Sequence, residues 1–522
     1  MAKEKLCCCS IVTCCVLPYI VCTNGCGMSF SSLREFLAFL EKSGDAVRVT
    51  EEVSTNLEMT EIHSRLVKTG GPAALFTNVV TDYGPSEIPV LVNLFGTVKR
   101  VANGLGTEPE GLRDIGRLLS FLRTPTPPES FRDLLDMFPL LRNVLAARNT
   151  HVRKAACQEV IIRNDDIDLG KLPIQTCWPD EPAPLITWPI VVTRGPGDAK
   201  EDNYNLGVYR MQVVDKKTTI MRWLRHRGGA QQYFRWVAEG RGDFPVAVVI
   251  GTDPYTTIAA VAPVPDTLSE YQFAGILRKS PTALVDCVTV PLRVPANAEI
   301  VLEGMVSQSD HLDEGPYSDH TGYYNSVEQF PKFEITAITM RSSPIYLSTY
   351  TSRPPDECSV LGEALNELLI PMLIAQFPEI CDFFLPPEGC SYRIAVVSIR
   401  KAYPGHARRI IMGIFSFLRQ FTYVKYVIVV DSDINVREWK DIMWAISTRM
   451  DPARDVVMIE SAPIDYLDFA SPESGLGSKA GFDATNKIPP ETKREWGIPV
   501  KMCDDIVEMV TKKWRSYGFE DN

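Results

Sequence analysis

The first clear periodicity in the chain is Leu33, Phe36, Leu37 and Leu40, the spacing of one helical face. Ser32-Leu-Arg-Glu35 has the form of a capping box at its start, and Gly44 supplies a stop. Strand-like AVRVT (46–50), a second helix over 59–68 ending at Gly70-Gly71, and strands at ALFTNV and PVLVNLFG complete an α+β layer. A helical, proline-punctuated stretch over 111–147 follows and reads as a link between domains.

From about Glu159 to Ser348 the pattern changes to short strands separated by turn residues. The segments 186–193, 206–214, 245–251, 283–294, 298–306 and 333–340 predict an antiparallel sandwich or barrel, interrupted by a short helix at 271–278. The last third returns to α/β. YVIVVD (426–431) has the unbroken apolar run of a strand buried on both faces. A helix over 436–449 follows, capped by Asp433 or Asn435, with Trp439, Ile442, Met443 and Ile446 on one face. Beyond Ala470 the chain reads as polar loop, and Gly475–Gly481 as an ordinary turn, because a P-loop's spacing and preceding buried strand are missing. A final amphipathic helix (505–515), carrying Ile506, Met509, Val510 and Trp514, is expected to dock onto another surface.

At 522 residues the chain should divide into about three domains. The net charge of −11 excludes the broadly basic surface of a nucleic-acid binder. Seven of the 14 cysteines fall in the first 26 residues (Cys7, Cys8, Cys9, Cys14, Cys15, Cys22, Cys26); the others are single, as buried thiols of a reducing compartment are. Residues 1–27 carry an apolar, Cys-rich run without a clear cleavage site, too short for a membrane span. Two readings stay open for them: an extension without function, the true start being Met28, or a tail that touches a membrane.

Two segments carry chemistry. In Glu314-Gly-Pro-Tyr-Ser-Asp319-His320, Gly315 and Pro316 favour a turn that can bring two carboxylates to one side. Paired acids suit proton transfer, because one negative charge raises its neighbour's pKa. His320 either shapes that pocket or hydrogen-bonds in the core. The second segment runs from Asn205 to Gly229. Arg222, Arg225 and Arg227, followed by Gly228-Gly229, offer guanidinium forks and backbone N–H groups to a phosphate. Asn205 and Glu270 offer oxygens to a hard divalent cation, and His226 a nitrogen.

NLGVYRMQV, RWLRHRGGA, DTLSEYQFAG, EIVLEGMV, EGPYSDHTGYY, TSRPPDE, LPPEGCSYR, STRMDPARD and DATNK, in this order, resemble the UbiD family of prenylated-flavin-dependent decarboxylases. The likeness spans about Met28 to Lys512 and is nearest to the polyprenyl-4-hydroxybenzoate carboxy-lyases of ubiquinone biosynthesis. It implies an N-terminal α+β domain (28–150, with linker helices), a central split β-barrel that binds flavin (151–348) and a C-terminal α/β oligomerisation domain (349–500), followed by a helix (501–522). It also implies prenylated FMN bridged to the protein by a divalent metal, usually Mn2+, with K+ nearby. Asn205, Glu270 and His226 match metal positions. Val208, Tyr209, Arg210, Arg222, Trp223, Leu224, Arg227 and Gly228 match cofactor-contacting ones, and Arg419 stands where relatives have a basic residue near the phosphate. The family's Arg-Glu-Glu network maps onto Arg210, Glu314 and Asp319, the last departing from the commoner Glu, as Ser318 departs from Gly.

The activity implied is loss of CO2 from 3-polyprenyl-4-hydroxybenzoate through a covalent adduct of ring and flavin, since an aryl carbanion has no orbital of its own to stabilise it. Arg210 would hold Glu314 ionised, Glu314 would tune Asp319 upward, and Asp319 would deliver the proton. A flavin prenyltransferase would supply the cofactor, and a cytoplasmic homohexamer touching the inner membrane would meet the lipidic substrate. The rivals are a decarboxylase of another aromatic acid, such as a dihydroxynaphthoate, and a cofactor-free scaffold in a quinone-biosynthesis complex.

Overall fold

The structure is a computed structural model that describes residues 28–123, 148–197, 204–225, 227–264, 268–390, 392–417 and 419–519. The Cys-rich start, the second half of the 111–147 link and His226 lie outside the described residues, as does the side chain of Arg419.

The N-terminal layer follows its sequence pattern. Ser32 caps the helix Leu33–Ser43 by accepting from the Glu35 N–H at 3.3 Å, and Leu33, Phe36, Leu37 and Leu40 are all buried. The Glu35 carboxylate reaches back to Ser31 N–H at 2.7 Å, one residue before the expected partner. Gly44 ends the helix with φ of +78°, a conformation open to glycine at no steric cost. Strand Ala46–Ser54 runs parallel to Ala73–Thr81, with helix Glu58–Lys68 between them. Val90–Val92 and, from far along the chain, Tyr346–Leu347 complete the sheet. Within 111–147, Leu112–Arg123 forms a helix.

The central unit is a nine-stranded, antiparallel sheet. Its main path runs 185–186, 211–213, 218–221, 328–340, 300–314, 244–250, 190–193, 205–208. The strands at its two ends are joined directly, Ile186 to Ile190 and Val208 to Met211, through short connections. Such short connections force the sheet to curl until its ends meet, giving a half-barrel with Tyr209 and Arg210 in the seam. Several expected strands are therefore cut: 206–214 breaks at that seam, and 186–193 breaks at Thr187–Pro189. The expected strand 283–294 is a hairpin of Ala283–Asp286 and Arg293–Pro295, because the Val288 and Thr289 N–H groups turn away to the buried Glu303 carboxylate. Helix Glu270–Arg278 begins in a capping box of Ser269 and Gln272.

The C-terminal unit is a five-stranded sheet in the order 380–384, 394–399, 426–431, 476–484, 456–463, parallel through its middle three strands. Leu476–Ala484 contradicts the loop expected beyond Ala470 and the turn expected at Gly475–Gly481. Its small residues hid it: a Cβ on Gly481 would lie 2.2 Å from Ile411 Cγ2, and one on Gly477 2.5 Å from Ile464 Cδ1. The helix expected over 436–449 starts at Trp439, capped by Glu438 and neither by Asp433 nor by Asn435. Asp433 instead pairs with Arg449, and Met443 faces outward while Ile442 and Ala445 are buried. The last helix, Asp504–Lys513, buries no residue on its own chain; Ile506, Met509 and Trp514 stay partly exposed.

Candidate active site

Strand 300–314 delivers Glu314 to the seam, and Gly315, at φ of +98°, turns the chain there. The Gln212 side chain accepts the Gly315 N–H at 3.0 Å, fixing the turn to the strand beyond Arg210. Arg210 grips Glu314 as a fork, Nε to Oε1 at 2.8 Å and Nη2 to Oε2 at 3.1 Å. The same guanidinium donates to the Ser318 carbonyl at 3.2 Å and to Asn325 Oδ1 at 2.8 Å, and lies over the Tyr317 ring. Glu314 is fully buried, so this bidentate pairing offsets a large desolvation penalty.

Asp319 sits in the next turn and is 4% exposed. Its Oδ1 accepts from Thr321 N–H at 2.7 Å and Thr321 Oγ1 at 2.6 Å, while Oδ2 is buried without a partner. One oxygen is thus held and the other is free for a proton transfer. The expected meeting of Arg210, Glu314 and the 319 turn is what the structure brings together.

Arg222 departs from the phosphate cluster read in the sequence. It turns inward, with Nε 3.4 Å from Glu314 Oε2 and Nη2 bonded to the Tyr466 hydroxyl of the C-terminal unit. Arg225, which lies over the Phe234 ring, and Arg227 stay exposed on the other side. Trp223 is buried with its indole N–H unpartnered, and the Tyr209 hydroxyl accepts from the Gly229 N–H at 3.3 Å. Val208 and Leu224 are half-buried beside them.

Glu270 reaches the strand that carries Asn205. The Glu270 carboxylate accepts from Leu206 N–H at 3.0 Å, next to Asn205. A Cβ on Gly228 would lie 2.0 Å from Asn205 Oδ1, so the glycine leaves room for that amide at the N-terminus of helix Gly228–Ala238. Two oxygens, helix-terminal N–H groups and an orphan indole N–H fit a metal-bridged phosphate. Among the described residues no group of three or more His, Cys, Asp or Glu side chains could hold a metal ion.

A cavity of about 560 Å³ adjoins this wall, lined by Trp223, Leu224, Phe330, Tyr423, Ile464 and Tyr466 among others. It lies between the half-barrel and the C-terminal unit. Sequence reasoning missed Phe330, Tyr466 and a further acid, Glu181, for each is a single residue outside any motif. Glu181 Oε2 accepts from Cys177 N–H at 2.8 Å and Trp178 N–H at 3.2 Å, while the Tyr317 hydroxyl bonds the nearby Ala183 carbonyl. Burial pushes Glu181 up to about 7, against the pull of those N–H donors and of Arg210.

Three family models match the chain in order. They are the N-terminal, Rift-related and C-terminal domains of 3-octaprenyl-4-hydroxybenzoate carboxy-lyase, at residues 37–119, 148–354 and 359–484. Among solved structures, the UbiD-class enzyme HmfF from Pelotomaculum thermopropionicum in complex with FMN is similar at 30% identity and a TM-score of 0.74, covering 90% of this chain and 97% of that one. Vanillic acid decarboxylase from Sedimentibacter hydroxybenzoicus, in its closed form, is similar at 27% identity and a TM-score of 0.78, covering 94% and 99%. An evolved dimeric form of HmfF in complex with prenylated FMN matches at 29% identity and a TM-score of 0.72, covering 90% and 97%. The chain belongs to the UbiD family of prenylated-FMN-dependent carboxy-lyases.

Proposed function

We propose that the protein removes CO2 from a 3-polyprenyl-4-hydroxybenzoate, leaving a 2-polyprenylphenol. The observation that carries the reading is the Arg210–Glu314 fork beside Asp319, whose Oδ2 is buried without a partner; Arg222, the second cation on Glu314, bonds Tyr466, which lines a cavity walled in part by aromatic rings. The preference for the polyprenylated acid rests on the sequence likeness to the ubiquinone-pathway enzymes. The likeness to vanillic acid decarboxylase favours a second reading, in which the acid carries no tail.

Asn205 and Glu270 would hold a divalent metal, Mn2+ in this proposal, against the cofactor phosphate, with His226 as a third ligand, K+ close by and Arg419 near the phosphate. Tyr209, Trp223 and the Gly228–Gly229 backbone would line the flavin. Prenylated FMN, when bound, supplies the electron sink that an aryl carbanion needs. Arg210 fixes Glu314 with its two-pronged grip, and Arg222 closes the other side of that carboxylate. As the carbon–carboxylate bond breaks and CO2 departs, Asp319 in its acid form gives the proton to the vacated ring carbon. It regains the proton from solvent afterwards. A homohexamer working at the inner surface of a membrane would suit a substrate with an isoprenoid tail.

The test is co-expression with a flavin prenyltransferase, followed by CO2 release from 3-polyprenyl-4-hydroxybenzoate, vanillate and dihydroxynaphthoate. Release from the first acid supports the proposal. Release from another alone moves the substrate, and a chain that takes up no flavin leaves the scaffold reading.

A further inference from the structure

The turn that carries Asp319 is fastened on one side by its own backbone. Asp319 N–H donates to the Tyr323 carbonyl at 3.2 Å, Gly322 N–H to the Asp319 carbonyl at 2.9 Å, and Asn325 N–H to the Tyr317 carbonyl at 2.9 Å. Its outer side meets the C-terminal unit. His320 Nε2 lies 3.4 Å from Asp465 Oδ2, and the Tyr323 ring stands 6.0 Å from that of Phe469.

Asp465 is itself anchored. Its Oδ2 also accepts from Arg393 Nη2 at 3.0 Å, and its Oδ1 from Leu467 N–H at 3.1 Å. The Arg393 carbonyl in turn accepts from Lys425 and Tyr426 N–H at 2.9 and 2.8 Å, which ties it to the central strand 426–431. The next residue, Tyr466, holds Arg222, the second cation on Glu314. One short segment of the C-terminal unit therefore touches both halves of the proton-transfer site.

The geometry points to Asp465 as a positioning residue: through His320 it holds the acid turn against the C-terminal sheet and so aims Asp319 Oδ2 at the substrate. This rests on the reading of Asp319 as the proton donor. Thr321 occupies Oδ1, so the direction of Oδ2 follows the placement of the whole turn. Burial alone would raise the Asp465 carboxyl; His320 and Arg393 outweigh it and bring it below its ordinary value, as expected of a working anion. A purely adhesive contact between units would leave the chemical step untouched, which gives the proposal its test.

The experiment compares Asp465→Asn and His320→Gln with the full-length parent protein, co-expressed with a flavin prenyltransferase. The first change removes the anion and keeps its size; the second removes the partner and leaves the Arg393–Asp465 pair intact. Bound flavin and KM should stay within about twofold while kcat falls about tenfold, since misplacing a reacting group by a fraction of an ångström acts on the chemical step. A solvent deuterium isotope effect on kcat should rise as proton delivery becomes limiting. Independently of activity, backbone amides of 319–325 should exchange with deuterium about tenfold faster, and those of 300–306 should not change. Parent-like exchange in both variants overturns the proposal, as does a parent-like kcat. Faster exchange in variants of a parent that decarboxylates no aromatic acid keeps the clamp and rejects the functional reading instead.

Discussion

Arg210 and Glu314 meet across the seam of the half-barrel as a two-pronged ion pair, with the carboxylate fully buried and the guanidinium nearly so. The pair ties the link between strands 205–208 and 211–213, which carries Arg210, to the end of the inner strand 300–314. It is a structural clasp, and in the proposed mechanism it also walls the reaction site.

Breaking that clasp should be felt in stability as well as in turnover. Arg210→Gln strands a buried anion, with Arg222 at 3.4 Å as a partial substitute. We expect a loss of about 3 kcal/mol in urea unfolding, the order seen when one partner of a buried pair is removed. Turnover should fall at least ~100-fold.

Glu270→Gln keeps the size of the side chain and the acceptor for Leu206 N–H but removes the negative charge. Flavin per chain after gel filtration should drop several-fold while the fold is unchanged, because a divalent cation loses a hard anionic ligand.

Glu181 predicts a pH signature. Its folded pKa, raised to about 7 by burial, exceeds that of the unfolded chain. The stability it contributes is full below the ordinary glutamate range and is lost as pH rises toward 7. Thermal unfolding of Glu181→Gln should match the parent at low pH and exceed it progressively up to pH 7. A constant difference across that range would reject the assignment.

Gly481→Ala places a Cβ 2.2 Å from Ile411 Cγ2 in a packed core. Overpacking of this kind should lower stability by about 1–3 kcal/mol with the active site unchanged, read by chemical denaturation alongside flavin content.

Contiguous features were the readable ones. The helix at Leu33–Ser43 announced itself because cap, apolar stripe and glycine stop agree within a dozen positions. The acid turn was visible because Glu314, Gly315, Pro316 and Asp319 are neighbours. Arg210 could be joined to Glu314 only by family likeness, for nothing local links residues so far apart in sequence. Helix Glu357–Gln376 went unread because it is apolar on nearly every side and has Pro371 inside, so the helical period fades. Strand Leu476–Ala484 went unread because close packing there demands glycine and alanine, which carry no strand signal. Tyr466 and Asp465 act only through the packing of one unit on another, which no local pattern encodes. His320, left between pocket and core, lies at that contact instead.

The most direct test of the central claim is single-turnover decarboxylation by Asp319→Asn loaded with prenylated FMN. Asparagine keeps an acceptor for Thr321 but cannot donate a carboxyl proton. The account predicts flavin content like the parent's, with formation of the protonated phenol slowed at least ~100-fold. Parent-like turnover in the fully loaded variant would contradict it and remove Asp319 from the proton transfer.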